Sequence, residues 1–388
     1  MRLRMTDLCD CSELDNSNSR AGLDLPEGVP PLRSFYLYMS DTCNLRCRHC
    51  WITPAFSGGK PLPGEVVDIE LLRQAVGEAK PLGLSSAKLT GGEPMVHPGF
   101  REIARMLSEE GLGLNMETNG TLIDDDMARF LKDETKIDFI SISLDSIDEN
   151  SHDRFRGVKG AYRAALNGLR CLVDAGYKNV QIIMSPHKGN VGEVEELVKL
   201  AASKGAGSVK LNPVTNNGRG SLMHERNETL SIKEILELSD FVRGPLKKSS
   251  SIPVIINIPL SLRPLKELVA NANAGDCGVD HILGILGSGT VALCGIGRTM
   301  PELVYGRLGQ DSIREIWLNH PAVVRLRNDI KDFDNYPELC RNCIFMRKCR
   351  TGCVVQNYSN FGRLIWPHAM CIEAQNNGRF SQSRKKGR

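Results

Sequence analysis

At 388 residues the chain is longer than one typical domain, and its 41% hydrophobic and 24% charged residues predict a substantial buried core rather than a disordered chain. The formal charge of +3 is small for this length, and no basic stripe interleaved with aromatics occurs, which leaves no footing for nucleic-acid binding. No stretch approaches about 20 uninterrupted apolar residues and none before Pro31 forms a signal-peptide core, so we expect a cytoplasmic protein with no membrane partner.

The first 32 residues are polar and read as a mobile leader; Cys9 and Cys11 lie within it. From Ser34 to about Val214 short β-type runs alternate with amphipathic helical stretches, within a first unit read over 33–245. Six strands are predicted: Ser34 to Ser40, Ser86 to Thr90, Leu112 to Thr118, Phe139 to Asp145, Val180 to Ser185 and Ser208 to Val214. Asp124 reads as the cap of "DDMARFLKD". Asn190, with Glu193 as a capping partner, reads as the cap of "VGEVEELVKLAA". Strict alternation implies parallel strands joined by right-handed crossovers, in either a barrel-like or an open sheet. No G-x-G-x-x-G follows the first strand, which counts against a dinucleotide fold.

In barrels of this kind the chemistry sits on the loops after the strands. There lie Cys43, Cys47 and Cys50 after strand one, Gly91, Gly92 and Glu93 after strand two, Glu117 and Asn119 at strand three, and Ser143 and Asp145 at strand four. Beyond Val214, a helix near Ser231 to Val242 is followed by "GPLKKSSSIP", read as a linker into a second unit over 246–376. In that unit "ILGILGSGTVALCGIG" predicts a hairpin around Gly-Ser-Gly. The basic end "SRKKGR", in a tail over 377–388, reads as solvated.

Ten of the thirteen cysteines cluster in two sets. In a reducing compartment such sets read as metal ligands rather than disulfides. The first, C-x3-C-x2-C, offers three thiols where a tetrahedral site needs four ligands, and a cubane iron–sulfur cluster held by three thiolates keeps one iron open. Cys171, inside "ALNGLRCLVDAG", reads as a packing residue.

This loop, followed by "LTGGEP" and "SISLDS", strongly resembles the radical S-adenosylmethionine (SAM) enzymes. The resemblance implies a partial (βα)6 TIM-like barrel in the α/β class. It further implies a [4Fe-4S] cluster on Cys43, Cys47 and Cys50, SAM on the open iron, and a 5′-deoxyadenosyl radical that abstracts hydrogen. Gly91, Gly92 and Glu93 then match the turn beside the methionine amino group. Ser143 and Asp145 match polar positions around ribose and carboxylate, Arg156 a basic residue near the carboxylate, and His49 a position beside adenine.

The second set comprises Cys277, Cys294, Cys340, Cys343, Cys349, Cys353 and Cys371, with Gly289 between the first two. Its spacing resembles the SPASM (twitch-type) extension, which implies two auxiliary clusters and three [4Fe-4S] clusters in all. The outer one falls to Cys340, Cys343, Cys349 and Cys371, the inner one to Cys277, Cys294 and Cys353. Asp276, His281 or an open iron are the alternatives for the inner cluster's fourth position. Seven cysteines divide poorly into the closed four-ligand sets of structural zinc, since one such set leaves three over.

The expected function is modification of a short ribosomally made precursor peptide by crosslink, thioether, oxidation or epimerisation. Flavodoxin or ferredoxin would act as reductant. The leader is too short for a peptide-recognition domain, so a separate leader-binding protein or the barrel surface would do that work. The alternatives are a tetrapyrrole side-chain decarboxylase and a non-catalytic iron–sulfur carrier. Of the side chains that can donate a proton, Glu117, His97 and Tyr305 each read as structural.

Overall fold

The computed structural model describes residues 22–57, 60–265, 278–295 and 300–386; Cys9, Cys11, Asp276 and Cys277 lie outside them. Ten strands form one sheet: β1 (Ser34–Tyr38), β2 (Ser86–Thr90), β3 (Gly113–Thr118), β4 (Ile137–Ser143), β5 (Val180–Met184), β6 (Ser208–Leu211), β7 (Val254–Ile256), β8 (Ile282–Ile285), β9 (Thr290–Ala292) and β10 (Val304–Arg307). β1 to β7 follow one another in parallel order, the six predicted strands and a seventh. β8 lies parallel to the free edge of β1, and β9 and β10 continue antiparallel. The sheet therefore runs across residue 245, and the predicted hairpin becomes its far end.

Each core strand is two-faced because side chains alternate. Phe35, Leu37, Ala87, Leu89, Met116, Ile140, Ile142, Ile182, Val209 and Leu211 are buried in the main hydrophobic cluster together with helix residues such as Leu72, Ile103, Leu131, Leu169 and Leu197. The opposite positions carry Tyr36, Glu117, Ser141, Ser143, Ile183 and Lys210, which line a cavity. The inner face is thus largely polar, which suits a ligand chamber rather than a packed barrel core.

Local chemistry sets the helix starts. Asp124 accepts from the Met127 amide at 2.7 Å, capping Asp125–Asp133, an arrangement that contributes about 1 kcal/mol. The predicted cap at Asn190 does not form. Its Nδ2 donates to the carbonyls of Asp145 and Ser185 at 2.8 and 3.2 Å, and Glu193 accepts from Ser146 Oγ and the Ile147 amide. Here a long-range tie between loops outcompetes a local cap. The expected linker is helical only at its start: the predicted helix, Ile232–Phe241, passes into a π-helical turn over Val242–Leu246, which accommodates Pro245, and helix ends at Ser249. Within the basic tail Arg384 is the exception to a solvated end: it is 7% exposed and donates to the carbonyls of Ser261 and Arg263 at 3.1 and 2.7 Å, whereas Ser383 and Lys386 are exposed. Among the described residues no helix is long and apolar enough to cross a membrane.

Candidate cofactor and cluster sites

The loop from Asp41 to Trp51 leaves β1 and is clipped on two sides. The amides of Arg46 and Arg48 donate to the carbonyls of Arg156 and Phe155 at 3.0 and 2.9 Å, which lays the loop on the end of helix Glu149–Arg156. On the other side Asn119 Nδ2 donates to Asn44 Oδ1, and Asn44 Nδ2 to Thr121 Oγ1, both at 2.8 Å. Cys43 and Cys47 are buried and Cys50 is half-buried; none is in a disulfide. Burial pushes the Cys43 and Cys47 thiols up, and the nearby Glu93 adds to this at Cys43. Two buried thiols are poor nucleophiles but good ligands, since a bound metal deprotonates them outright. The donor set fits a cluster held by three thiolates.

Gly91 and Gly92 are required by close approach. Gly91 has φ +128, and a Cβ there would lie 2.7 Å from the Ser40 carbonyl; at Gly92 it would lie 2.1 Å from that of Thr42. The turn thus packs directly on the start of the cysteine loop, with the Gly92 and Glu93 amides donating to the Ser40 and Thr42 carbonyls at 2.8 and 3.0 Å. Glu93 is fully buried beneath the turn and does not line the cavity. It accepts from Thr118 Oγ1 at 2.7 Å and from the Asn119 amide at 2.8 Å. Burial pushes its carboxyl up to about 7, against those hydrogen bonds.

Arg156 and Asp145 form an ion pair, both under 10% exposed. Nε and Nη2 of Arg156 reach Asp145 Oδ2 at 2.6 and 2.5 Å, and Nη1 lies 3.6 Å from Cys47 Sγ. Asp145 Oδ1 accepts from the Ser185 amide at 2.7 Å. Asp145 therefore stands behind Arg156, outside the cavity lining, while Ser143 and Arg156 face the cavity. The Asp145 carboxylate is thus held by Arg156 and the Ser185 amide.

His49 also faces the cavity. Its ring stacks on Phe155 at 4.6 Å and 5°, and Phe155 stacks on His187 at 4.6 Å and 9°. Burial and the Arg156 charge push the His49 pKa down to about 3, so its ring is neutral at pH 7. Its Nδ1 and the Oδ1 of Asn212, both residues of the cavity lining, are buried with no partner among the described residues, as are Nε and Nη2 of Arg219, within electrostatic reach of His49. Orphaned buried polar atoms are costly, so this wall fits a polar ligand with both donors and acceptors, and a nucleoside qualifies.

The cavity measures about 610 Å³. Cys43, Cys47 and Cys50 bound one side, the strand-end residues Ser143, Ser185 and Asn212 another, and Cys353, Gln356, His368 and Met370 of the C-terminal region a third. In its floor Glu117 pairs with Lys88 at 2.6 Å. Burial opposes its ionisation, yet Lys88 and Lys210 outweigh burial and hold the carboxyl below its usual range. Glu117 is thus a fixed anion rather than a proton donor. His97 is also structural, with Nε2 at 2.9 Å from the Val67 carbonyl and Nδ1 accepting from the Gly99 amide. Lys88, Lys210, Asn212 and Arg219 were not singled out from the sequence. The signal was available for the lysines, each a charge between apolar neighbours in a strand, which alternation turns toward the polar face.

Cys340, Cys343, Cys349 and Cys371 line one small pocket, walled by Leu339, Met346 and Phe380. Ser261 Oγ lies 3.1 Å from Cys371 Sγ, and burial with the neighbouring cysteines pushes the Cys340 thiol up to about 12. Four thiols around one apolar hollow fit a fully thiolate-held cluster. His368 lines both this pocket and the large cavity. His281 Nδ1 lies 2.9 Å from the Pro31 carbonyl, and its Nε2 is 3.8 Å from Asp280, beyond hydrogen-bond reach.

The profile of the Radical SAM superfamily matches residues 37–201, and that of the SPASM iron–sulfur cluster-binding domain matches residues 277–344. The chain belongs to the radical SAM superfamily and carries a SPASM domain; it is an enzyme that binds SAM and iron–sulfur clusters. It is 25% identical over 342 residues to the AdoMet-dependent heme synthase of Methanosarcina barkeri, covering 85% of this chain and 93% of that protein. It is 26% identical over 353 residues to the PqqA peptide cyclase of Rhizobium meliloti, covering 90% and 89%. In three dimensions it resembles Streptococcus suis SuiB bound to S-adenosylmethionine, with a TM-score of 0.69 at 16% identity over 88% of this chain and 77% of the other.

Proposed function

We propose that this enzyme modifies a short ribosomally synthesised peptide. The observation that carries the reading is the single cavity bounded at once by Cys43, Cys47 and Cys50 and by Cys353 of the second cysteine set. A substrate there meets the SAM site on one side and an auxiliary cluster on the other, which suits an oxidation whose electron must leave after hydrogen abstraction. The likeness to a peptide cyclase over nearly the whole chain supports a peptide in that cavity.

When bound, the clusters and SAM supply the 5′-deoxyadenosyl radical, the hard part of the chemistry. We assign Cys43, Cys47 and Cys50 to the SAM cluster, Cys340, Cys343, Cys349 and Cys371 to the outer auxiliary cluster, and Cys277, Cys294 and Cys353 to the inner one, three [4Fe-4S] clusters in all. The protein's own part is orientation. The neutral His49 ring, fixed by Phe155, offers a flat polar face to adenine, Asn212 and Ser143 offer hydrogen-bond groups to the ribose, and Arg156 faces the carboxylate with its charge set by Asp145. Gly91 and Gly92 bring backbone close to the methionine amino group, while Glu93 braces that turn from below. Reduction would come from a flavodoxin- or ferredoxin-type protein in the cytoplasm, and leader recognition from a separate protein or the barrel surface.

The test is anaerobic incubation with reductant and SAM, followed by coexpression with short peptides encoded nearby. Production of 5′-deoxyadenosine together with a peptide about 2 Da lighter, or of unchanged mass with deuterium uptake, supports the reading. Absence of 5′-deoxyadenosine would leave an electron carrier. A second reading rests on the likeness to heme synthase over 93% of that protein: loss of carbon dioxide from an iron tetrapyrrole, with every peptide unmodified, would establish it.

A further inference from the structure

Near Cys294 lies a group of buried polar atoms that the cavity described above does not use. Cys294 follows β9, two residues beyond Ala292, which pairs with Val304 of β10; a bulge in that pairing leaves Tyr305 between Val304 and Gly306. The Leu293 amide donates to the Leu303 carbonyl at 2.9 Å, so Cys294 and β10 are held side by side. Tyr305 is 4% exposed, its hydroxyl is buried with no partner among the described residues, and it lies within electrostatic reach of the Cys294 sulfur.

Behind it, on helix Pro321–Lys331, Arg327 is 7% exposed. Its guanidinium lies over the Trp317 ring at 4.2 Å, and its Nε and Nη2 have no acceptor among the described residues. The nearby carboxylate, Asp280, is engaged by Arg350 Nη1 at 2.5 Å. A buried guanidinium with two idle donors is costly unless an anion faces it. An orphaned hydroxyl next to a ligand cysteine poses the same problem, and a thiolate-held iron–sulfur cluster solves both, since it is anionic and its sulfurs accept hydrogen bonds.

We propose that Tyr305 and Arg327 form the donor wall of the inner auxiliary cluster, giving it a hydrogen bond and a positive charge that make it easier to reduce. The proposal rests on the reading that Cys294 holds that cluster. Both are positioning residues, and their effect is on the cluster's potential, which follows net charge and hydrogen bonding to sulfur.

The experiment is an EPR-monitored redox titration of the anaerobically reconstituted full chain, with iron counted, for wild type, Tyr305→Phe, Arg327→Met and Cys294→Ala. Cys294→Ala identifies the inner cluster's signal by removing it. In the other two variants iron stays at the wild-type level while that one signal becomes harder to reduce by about tenfold in equilibrium constant, which for one electron is about 59 mV. The remaining signals stay in place. Wild-type potentials for all signals in both variants would overturn the proposal. If Cys294→Ala loses no iron, Cys294 holds no cluster, and that reading falls along with the wall. Tyr305→Phe keeps the ring and removes only the hydroxyl, so it decides the matter even if Arg327→Met folds poorly.

Discussion

Arg156 spans two sites at once: two of its nitrogens hold Asp145 Oδ2 at 2.6 and 2.5 Å while the third reaches the sulfur of Cys47 at 3.6 Å. The pair is buried, so each charge depends on the other. Asp145→Asn keeps the shape and removes the counter-charge. Breaking one side of a buried pair costs about 3–5 kcal/mol. We expect a clear fall in the urea midpoint of the anaerobic protein at pH 7. An unchanged midpoint would mean that Arg156 finds its compensation elsewhere.

The glycine turn makes a sharper geometric statement. A Cβ at Gly92 would lie 2.1 Å from the Thr42 carbonyl, next to the first ligand cysteine. Gly92→Ala must push the cysteine loop away from the cavity, and a displacement near 1 Å at a reacting centre costs about 100-fold in rate. Gly77→Ala is the control. Gly77 sits within helix Ile69–Ala79 with nothing within 4 Å of its Cβ position, and there alanine should stabilise by about 0.5–1 kcal/mol. Rates of 5′-deoxyadenosine formation, and thermal midpoints, separate the two; equal behaviour would remove the packing argument.

The first half of the molecule was legible because its information is local. Runs such as "SAKLT" and "VQIIM" alternate with amphipathic helices, and Asp124 caps the helix that its sequence announces. What was not legible depends on residues far apart in sequence. Asn190 looks like a cap until Asp145 and Ser185 are brought beside it, and Arg384 looks like solvated tail until Ser261 and Arg263 present their carbonyls. The same holds for the site. Residue spacing marked out Cys43, Cys47 and Cys50. That Asp145 faces Arg156 instead of the cavity is set by where helix Glu149–Arg156 docks, which no local pattern records.

Four cysteines around one pocket give an assignment that iron counting checks. Cys349 lines the apolar hollow with Cys340, Cys343 and Cys371, whereas Cys353, only four residues on, faces the large cavity. Cys349→Ala should lose the outer cluster, about a third of the iron if each of three clusters holds four. SAM cleavage should persist. Cys353→Ala should lose a different spectral component. If both variants lose the same one, the two cysteines serve one cluster and the division fails.

Glu93 supplies a pH dependence whose sign runs opposite to most acidic groups. Burial holds its carboxyl up at about 7 in the fold, against an ordinary value of 4.5. Between those two values the folded chain binds the proton that the unfolded chain has released. The contribution of this residue to stability is therefore greatest below pH 4.5, declines as pH rises to 7, and stays at its lower level above that. The full change is on the order of 3 kcal/mol. Glu93→Gln retains an oxygen for the Asn119 amide and cannot ionise, so it should flatten the slope of stability over this window and equal or exceed wild type above pH 7. Urea midpoints for both proteins from pH 5 to 8 test it. Parallel curves would show that Glu93 is ionised throughout, its burial cost met by the hydrogen bonds from Thr118 and Asn119.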